Sequence, residues 1–325
     1  MLGNIFENTI FLTIFIIVIS LLVVSLIVGI IITYLIARVI YFKMFVRNEG
    51  TWGRQCSDSK VKVHKEMYDI GLKWGEENKK FAKEVHIMSN DNLNLYAEYY
   101  DFGFDTTTII APGRSEALTY SYYYAIGYKN IKSNLLLIDQ RAHGKSDGKY
   151  STAGIKEAED ILLWAKYLHD ELKQNKIFLH GICVGSCASV IAAGRKDLPS
   201  YIKGVIVDGL FIDFVECIRT HTIDYRKPAF PVVYEINFWY KKYAKVSITK
   251  ITPKKSIKDL TLPILFLHSK KDKFSLPSKV DYLYKICPSK EKTMHYFEDG
   301  DHSHLRIAHQ EEYDRCVEEF FNKYN

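Results

Sequence analysis

No two of the six cysteines are spaced Cys-x-x-Cys, and positions 56, 183, 187, 217, 287 and 316 follow no regular interval. That spacing gives neither a disulfide framework nor a zinc site and favours a reducing compartment. Internal repeats and low-complexity tracts are also missing, which sets aside solenoids and biased linkers. An excess of charge of one sign is slight. The net +6 lies on a chain that is 25% charged, too small and too dispersed an excess to mark a nucleic-acid surface. The last absence is local: between Thr9 and Ala37 there is no charged residue at all.

What fills that gap is mostly Ile, Leu, Val and Phe. The run exceeds the roughly 20 residues that cross about 30 Å of hydrocarbon, so it predicts one transmembrane helix with tilt or an interfacial end. A cleaved signal peptide would show a basic leading segment, a shorter apolar run and a small-x-small site, and the sequence has none of these. Glu7 precedes the run, whereas Arg38, Lys43, Arg47 and Arg54 follow it. By the positive-inside rule the C-terminal part is expected in the cytoplasm. Tyr34, Tyr41, Phe42 and Phe45 are expected to form an interfacial belt. The chain therefore divides into an anchor over 1–45, a linker with an amphipathic helix over 46–80, and a domain over 81–325. Met67, Ile70 and Trp74 mark the helix by their spacing. With 47% hydrophobic residues, the domain can bury a large core.

Within 81–325 the pattern alternates. VHIMS and LNLYAEYYDF flank Asn90-Asp91-Asn92 and predict a hairpin. Apolar strands follow at TTTIIAPG (106–113), 135–138, VIVDG (205–209) and PILFLHS (263–269). Between and after them come helices over 157–172, with Ile161, Trp164 and Leu168 on one face, and from about Glu311. Such alternation gives an α/β fold: a mostly parallel sheet covered on both faces by helices. Between Ile212 and Asp259 there is room for a helix and a short lid.

Lys176 to Ala193, KIFLHGICVGSCASVIAA, carries the chemistry. An apolar strand runs into Gly181-Ile182-Cys183-Val184-Gly185 and then into small residues, which is the pattern of a nucleophile elbow. Cys183 holds the place usual for serine, at a helix N-terminus whose dipole favours a thiolate. Gly144-Lys145-Ser146-Asp147-Gly148 also spells Gly-x-Ser-x-Gly. It follows no apolar strand and opens no small-residue helix, so it reads as a loop. Cys187, one turn beyond Cys183, reads as core.

Together with the elbow, APGRSE, DQRAHGKSDGKY, HSKKDKFSLP and EDGDHSH occur in an order that resembles the α/β-hydrolase fold over residues 65 to 325. Within that fold the chain is similar to bacterial serine-hydrolase-like proteins with an N-terminal membrane anchor. Two positions depart from the pattern: Cys183 replaces serine, and Pro112 replaces the histidine usual before Gly113. The resemblance, with the chain order nucleophile, acid, histidine, implies Asp272 as the acid, with Asp208 as the alternative, and His302 as the base, with His304 not set aside. It implies an oxyanion hole from the backbone N–H groups of Val184 and Arg114. The Arg114 guanidinium attracts an acidic substrate group or is a solvated loop cation, and a few of Tyr120, Tyr122, Tyr123, Tyr124 and Tyr128 could line an acyl pocket. Likeness to cysteine-using dienelactone hydrolases implies ester, thioester or lactone substrates, small or lipid-like, with no metal or organic cofactor. Two other readings stay open: a catalytically silent binding module, and an acyltransferase using the same triad.

Overall fold

The computed structural model describes residues 2–48, 62–224 and 229–325. Cys56 and Arg54, and the linker expected around them, lie outside the described residues. The first helix, α1 (Leu2–Phe45), is unbroken, and at 1.5 Å per residue it is about 66 Å long. Among the described residues it is the helix long and apolar enough to cross a membrane, a property of length and composition that a signal sequence shares.

After α2 (Lys62–Asn78) the sheet begins with β1 (Ala82–Met88) and β2 (Asn94–Tyr100), paired antiparallel as the hairpin signal predicts. There follow β3 (Thr106–Ala111), α3 (Leu118–Ala125), β4 (Asn134–Ile138), α4 (Ile155–Asp170), β5 (Lys176–Ile182) and α5 (Val184–Ala193). The chain continues through β6 (Ile202–Asp208), α6 (Phe214–Asp224), α7 (Val232–Tyr243), α8 (Pro253–Ser256) and β7 (Ile264–Ser269). It ends with α9 (Pro277–Ile286), β8 (Lys292–Phe297), α10 (Leu305–Ala308) and α11 (Gln310–Tyr324). The eight strands lie in the order β1-β2-β4-β3-β5-β6-β7-β8, with every pairing from β4 to β8 parallel.

The central strands β4, β5 and β7 are largely apolar on both faces because both faces are covered. Ile177 and Leu179 of β5 enter one core with α4, α5, α6 and α7, while Phe178 and Ile182 enter another with α3 and α11. Ile161, Trp164 and Leu168 of α4 are all buried, each aliphatic side chain contributing roughly 1.5–3 kcal/mol. Two expectations need correction. The buried face of α2 is Met67, Tyr68, Gly71 and Gly75, and Ile70 is exposed. The glycines are there because the tyrosines of α3 come so close: a Cβ on Gly75 would lie 2.8 Å from the Tyr122 ring. Tyr41 and Phe45 are fully buried, so they do not join an interfacial belt. They pack on the domain instead, Tyr41 against Tyr240 (5.1 Å between ring centroids) and Phe45 against Phe214 (5.0 Å). Beyond them Val46 bridges to Tyr150, and the Arg47 guanidinium donates to the carbonyls of Ser146 and Gly144, both at 2.7 Å.

Candidate active site

At the end of β5 the backbone turns through Cys183 with φ +54° and ψ −111°, a conformation that a side chain adopts only when its surroundings enforce it. Here they do. The Cys183 N–H donates to the Asp208 carbonyl at 2.8 Å, and the Ser186 hydroxyl lies 2.6 Å from the Gly181 carbonyl and 2.7 Å from that of Asp208. A Cβ on Gly181 would meet the Gly185 carbonyl carbon at 2.3 Å, and one on Gly185 would meet the Ala111 oxygen at 2.0 Å. Strand, turn and helix close only if both positions are glycine. Cys183 is left half-buried at the start of α5, while Cys187 is buried in the core.

Asp272, after β7, and His302, after β8, come together as the order of the chain implies. The His302 Nδ1 donates to Asp272 Oδ2 at 2.7 Å. The other carboxylate oxygen accepts the N–H groups of Phe274 and Ser275 at 2.7 and 2.8 Å. Burial works against the charge on Asp272, but His302 outweighs it and holds the carboxyl below its ordinary range. Burial likewise opposes a proton on His302, yet Cys183 and Asp272 together hold the imidazole well above its usual value. The remaining ring nitrogen, Nε2, is buried beside Cys183 and makes no hydrogen bond of regular geometry.

The ring is fixed from several sides. Phe274 packs on it at 4.7 Å, and Tyr124 donates to the carbonyl of the next residue, Ser303, at 2.8 Å. Gly209 has φ +64°, and a Cβ there would sit 2.9 Å from the imidazole Cε1. Asp208, the alternative acid, is not the partner of His302. Its Oδ2 accepts from Tyr313, its Oδ1 is buried without a partner, and burial pushes it up to about 7 against the pull of His302. His304 turns away and packs on His64 at 4.5 Å.

The loop after β3 lies opposite the elbow. Gly113 N–H donates to Glu116 at 2.7 Å and Ser115 N–H donates to His143 Nε2 at 2.9 Å, which fixes the residues on either side of Arg114. Since His143 Nε2 accepts, its proton is on Nδ1, which donates to the Arg141 carbonyl at 2.8 Å. Burial brings this imidazole down to about 4, so it stays neutral. Gln140 donates to the Pro112 carbonyl. The DQRAHG segment thus supports the loop, a role that spacing alone does not reveal. Glu116 was also missed: burial raises it to about 7, against the pull of the Gly113 N–H and of His302. The Arg114 guanidinium is half-buried. It reaches the Met44 carbonyl at 3.3 Å, at the end of α1, and the Ser115 hydroxyl at 3.1 Å.

The tyrosines of α3 are buried, with Tyr122 donating to Glu98, and Tyr128, just beyond α3, lies beside His180. From His302 ring contacts lead to Phe274, then Phe211 (6.3 Å), then Phe214 (5.4 Å), then Phe45 at the end of α1. A cleft of about 640 Å³ lined by Ile70, Trp74, Phe81 and Tyr128 contains none of Cys183, Asp272 and His302.

No family model matches the chain. It is similar to the Pyrococcus furiosus esterase Pf2001, with 20% identity and a TM-score of 0.63 over 77% of this chain and 93% of that one. It is also similar to mouse alpha/beta hydrolase domain-containing protein 10, at 17% identity and a TM-score of 0.53 over 74% and 99% of the two chains. These likenesses establish the α/β-hydrolase fold. Among sequences, the uncharacterized YqkD of Bacillus subtilis (strain 168) is 23% identical over 282 residues, 86% of this chain and 87% of that one. Protein bem46 of Schizosaccharomyces pombe is 25% identical over 176 residues, 54% of each chain.

Proposed function

We propose that this protein is a membrane-anchored hydrolase of ester, thioester or lactone bonds that works through Cys183, His302 and Asp272. The observation that carries the reading is the His302–Asp272 pair at 2.7 Å, with the unpaired Nε2 facing the influence of an elbow cysteine. The fold shared with an esterase supports it.

The Cys183 sulfur attacks the substrate carbonyl carbon while its proton passes to His302 Nε2. Val184 N–H, the first of α5, and Arg114 N–H hold the resulting oxyanion. Collapse breaks the bond to the leaving alcohol or thiol, which takes the proton from His302. A water then attacks the acyl-thioester, gives its proton to His302, and the acid leaves as the Cys183 sulfur is restored. Asp272 keeps the imidazole oriented and stabilises its charge.

We assign α1 as the anchor, residues 46–80 as the connection and 81–325 as the hydrolase, facing the cytoplasm by the positive-inside rule. The burial of Tyr41 and Phe45 and the Arg47 contacts support an α1 that is retained, since its removal would uncover them.

The test uses the full chain in detergent or bilayers with a model thioester. Mass spectrometry of quenched reactions should find an acyl group on Cys183, which Cys183→Ala abolishes along with turnover. Turnover that persists in Cys183→Ala would sink the mechanism, and binding without turnover in the wild type would favour the silent module.

A further inference from the structure

We infer that α7 is immersed in the same leaflet as the C-terminal end of α1, with Phe230, Tyr234 and Phe238 in contact with lipid. The inference rests on the reading of α1 as a membrane anchor. The two helices run in the same direction side by side. Thr33 donates to Glu235 at 3.1 Å, Tyr34 packs on Phe238 and Trp239 at 5.8 and 4.8 Å, and Phe42 packs on Tyr243 at 5.2 Å. Residues that ascend along α1 meet residues that ascend along α7.

Along both helices the outward surface changes character at one level. On α1 the exposed Leu35 and Ile36 give way to Arg38 and Lys43. On α7 the exposed stripe is Tyr234 and Phe238 and then Lys241 and Lys242, with Phe230 just before the helix. Arg38 and Lys242 lie over the same Trp239 ring, at 5.9 and 5.2 Å, so the two basic ends share one plane. That arrangement is an aromatic and cationic boundary of the kind found at the headgroup layer. Phe230 is 75% exposed, Tyr234 55% and Phe238 48%, an unusual concentration of aromatic surface for a face in water. From Lys242 back to Tyr234 the helix descends about 12 Å, within one leaflet's share of a hydrocarbon core about 30 Å thick. The acid in α7, Glu235, faces Thr33 on α1, so the outward stripe presents no anion to lipid.

The full chain in phospholipid nanodiscs provides the test. Phe230, Tyr234, Phe238, Val24 of α1 and the exposed Tyr282 of α9 are each replaced in turn by p-benzoylphenylalanine and irradiated. Lipid adducts should form at 230, 234, 238 and 24, at least tenfold above the level at 282. Adducts at 24 with none at 230, 234 or 238 would overturn the inference and leave the anchor. No adduct at 24 would fail the anchor reading itself, and the inference with it. Crosslinks from 230, 234 and 238 to a second copy of the chain would overturn it in favour of self-association.

Discussion

Two pentapeptides in this chain place a potential nucleophile between two glycines, and the structure uses them in opposite ways. Around Cys183 the glycines let a strand, a turn and a helix close tightly, so the side chain stands half-exposed beside His302. Around Ser146 the glycines serve a loop: a Cβ on Gly144 would overlap the Asp139 carboxylate at 2.1 Å. The Ser146 hydroxyl is buried and fully occupied, donating to the Asp139 carbonyl at 2.7 Å and accepting the Tyr96 N–H at 2.8 Å. A hydroxyl with both roles filled and no imidazole in reach is a fastener. What separates the two pentapeptides is the element that leads into the turn.

The comparison breaks most sharply at the reactive end. Cys183→Ala, Asp272→Asn and His302→Ala should each lower turnover of a model ester by roughly 10⁴ or more. Ser146→Ala should leave turnover per folded molecule unchanged and cost about 1–3 kcal/mol of stability, because the Tyr96 N–H loses its acceptor. Denaturant titration reads the second effect and initial rates the first; a folded but inactive Ser146→Ala protein would invert the assignment. Next comes Gly209→Ala, which forces a Cβ against the His302 ring. A displacement on the order of 1 Å should cost about 10² in turnover, and unaltered kinetics would show that the ring has room to move.

Chemical labelling sharpens the contrast among sulfurs. Burial raises the thiols of Cys187, Cys217 and Cys287, and pushes Cys316 up to about 11. In a Cys56→Ser background, iodoacetamide at neutral pH should modify Cys183 at least about tenfold faster than these four. Peptide mapping that finds equal rates removes the reactive cysteine from the picture. The smallest effect concerns the residue whose carbonyl holds the elbow. Asp208 titrates near 7 when folded and near 3.9 when unfolded. Between those values the folded state keeps a proton that the unfolded state has released, so stability falls as pH rises and the deficit is complete above about 7. Asp208→Asn removes that loss. Its melting temperature should therefore gain on the wild type from pH 5 to pH 8, by on the order of 5 °C, and a constant gap would contradict the burial penalty.

The parallel strands and the elbow were legible in the sequence because apolar runs and Gly-x-x-x-Gly spacing are local signals, whereas Asp272 and His302 were singled out by the family resemblance. The far end of α1 was not. Tyr41 and Phe45 look the same in sequence whether they meet headgroups or Tyr240 and Phe214, and only the tertiary partner decides. The same holds for α2, where periodicity favoured Ile70 and the true seam is Gly71 and Gly75, shaped by the bulk of Tyr122. Glu116 and His143 stood inside quoted motifs, yet their hydrogen bonds to Gly113 and Ser115 join segments distant in the chain.

With α1 as the proposed anchor and His302 as the proposed base, the ring contacts from Phe45 to His302 would give bilayer thickness a lever on chemistry. A bilayer thicker or thinner than the apolar length of α1 changes the tilt of that helix at modest energetic cost. Its last turn is packed into the wall that positions the imidazole, so tilt would be felt as a small rotation of the ring. Turnover of a water-soluble ester, measured in bilayers of graded acyl length, should therefore peak at one thickness. A flat profile would mean that the phenylalanines absorb the movement before it reaches His302.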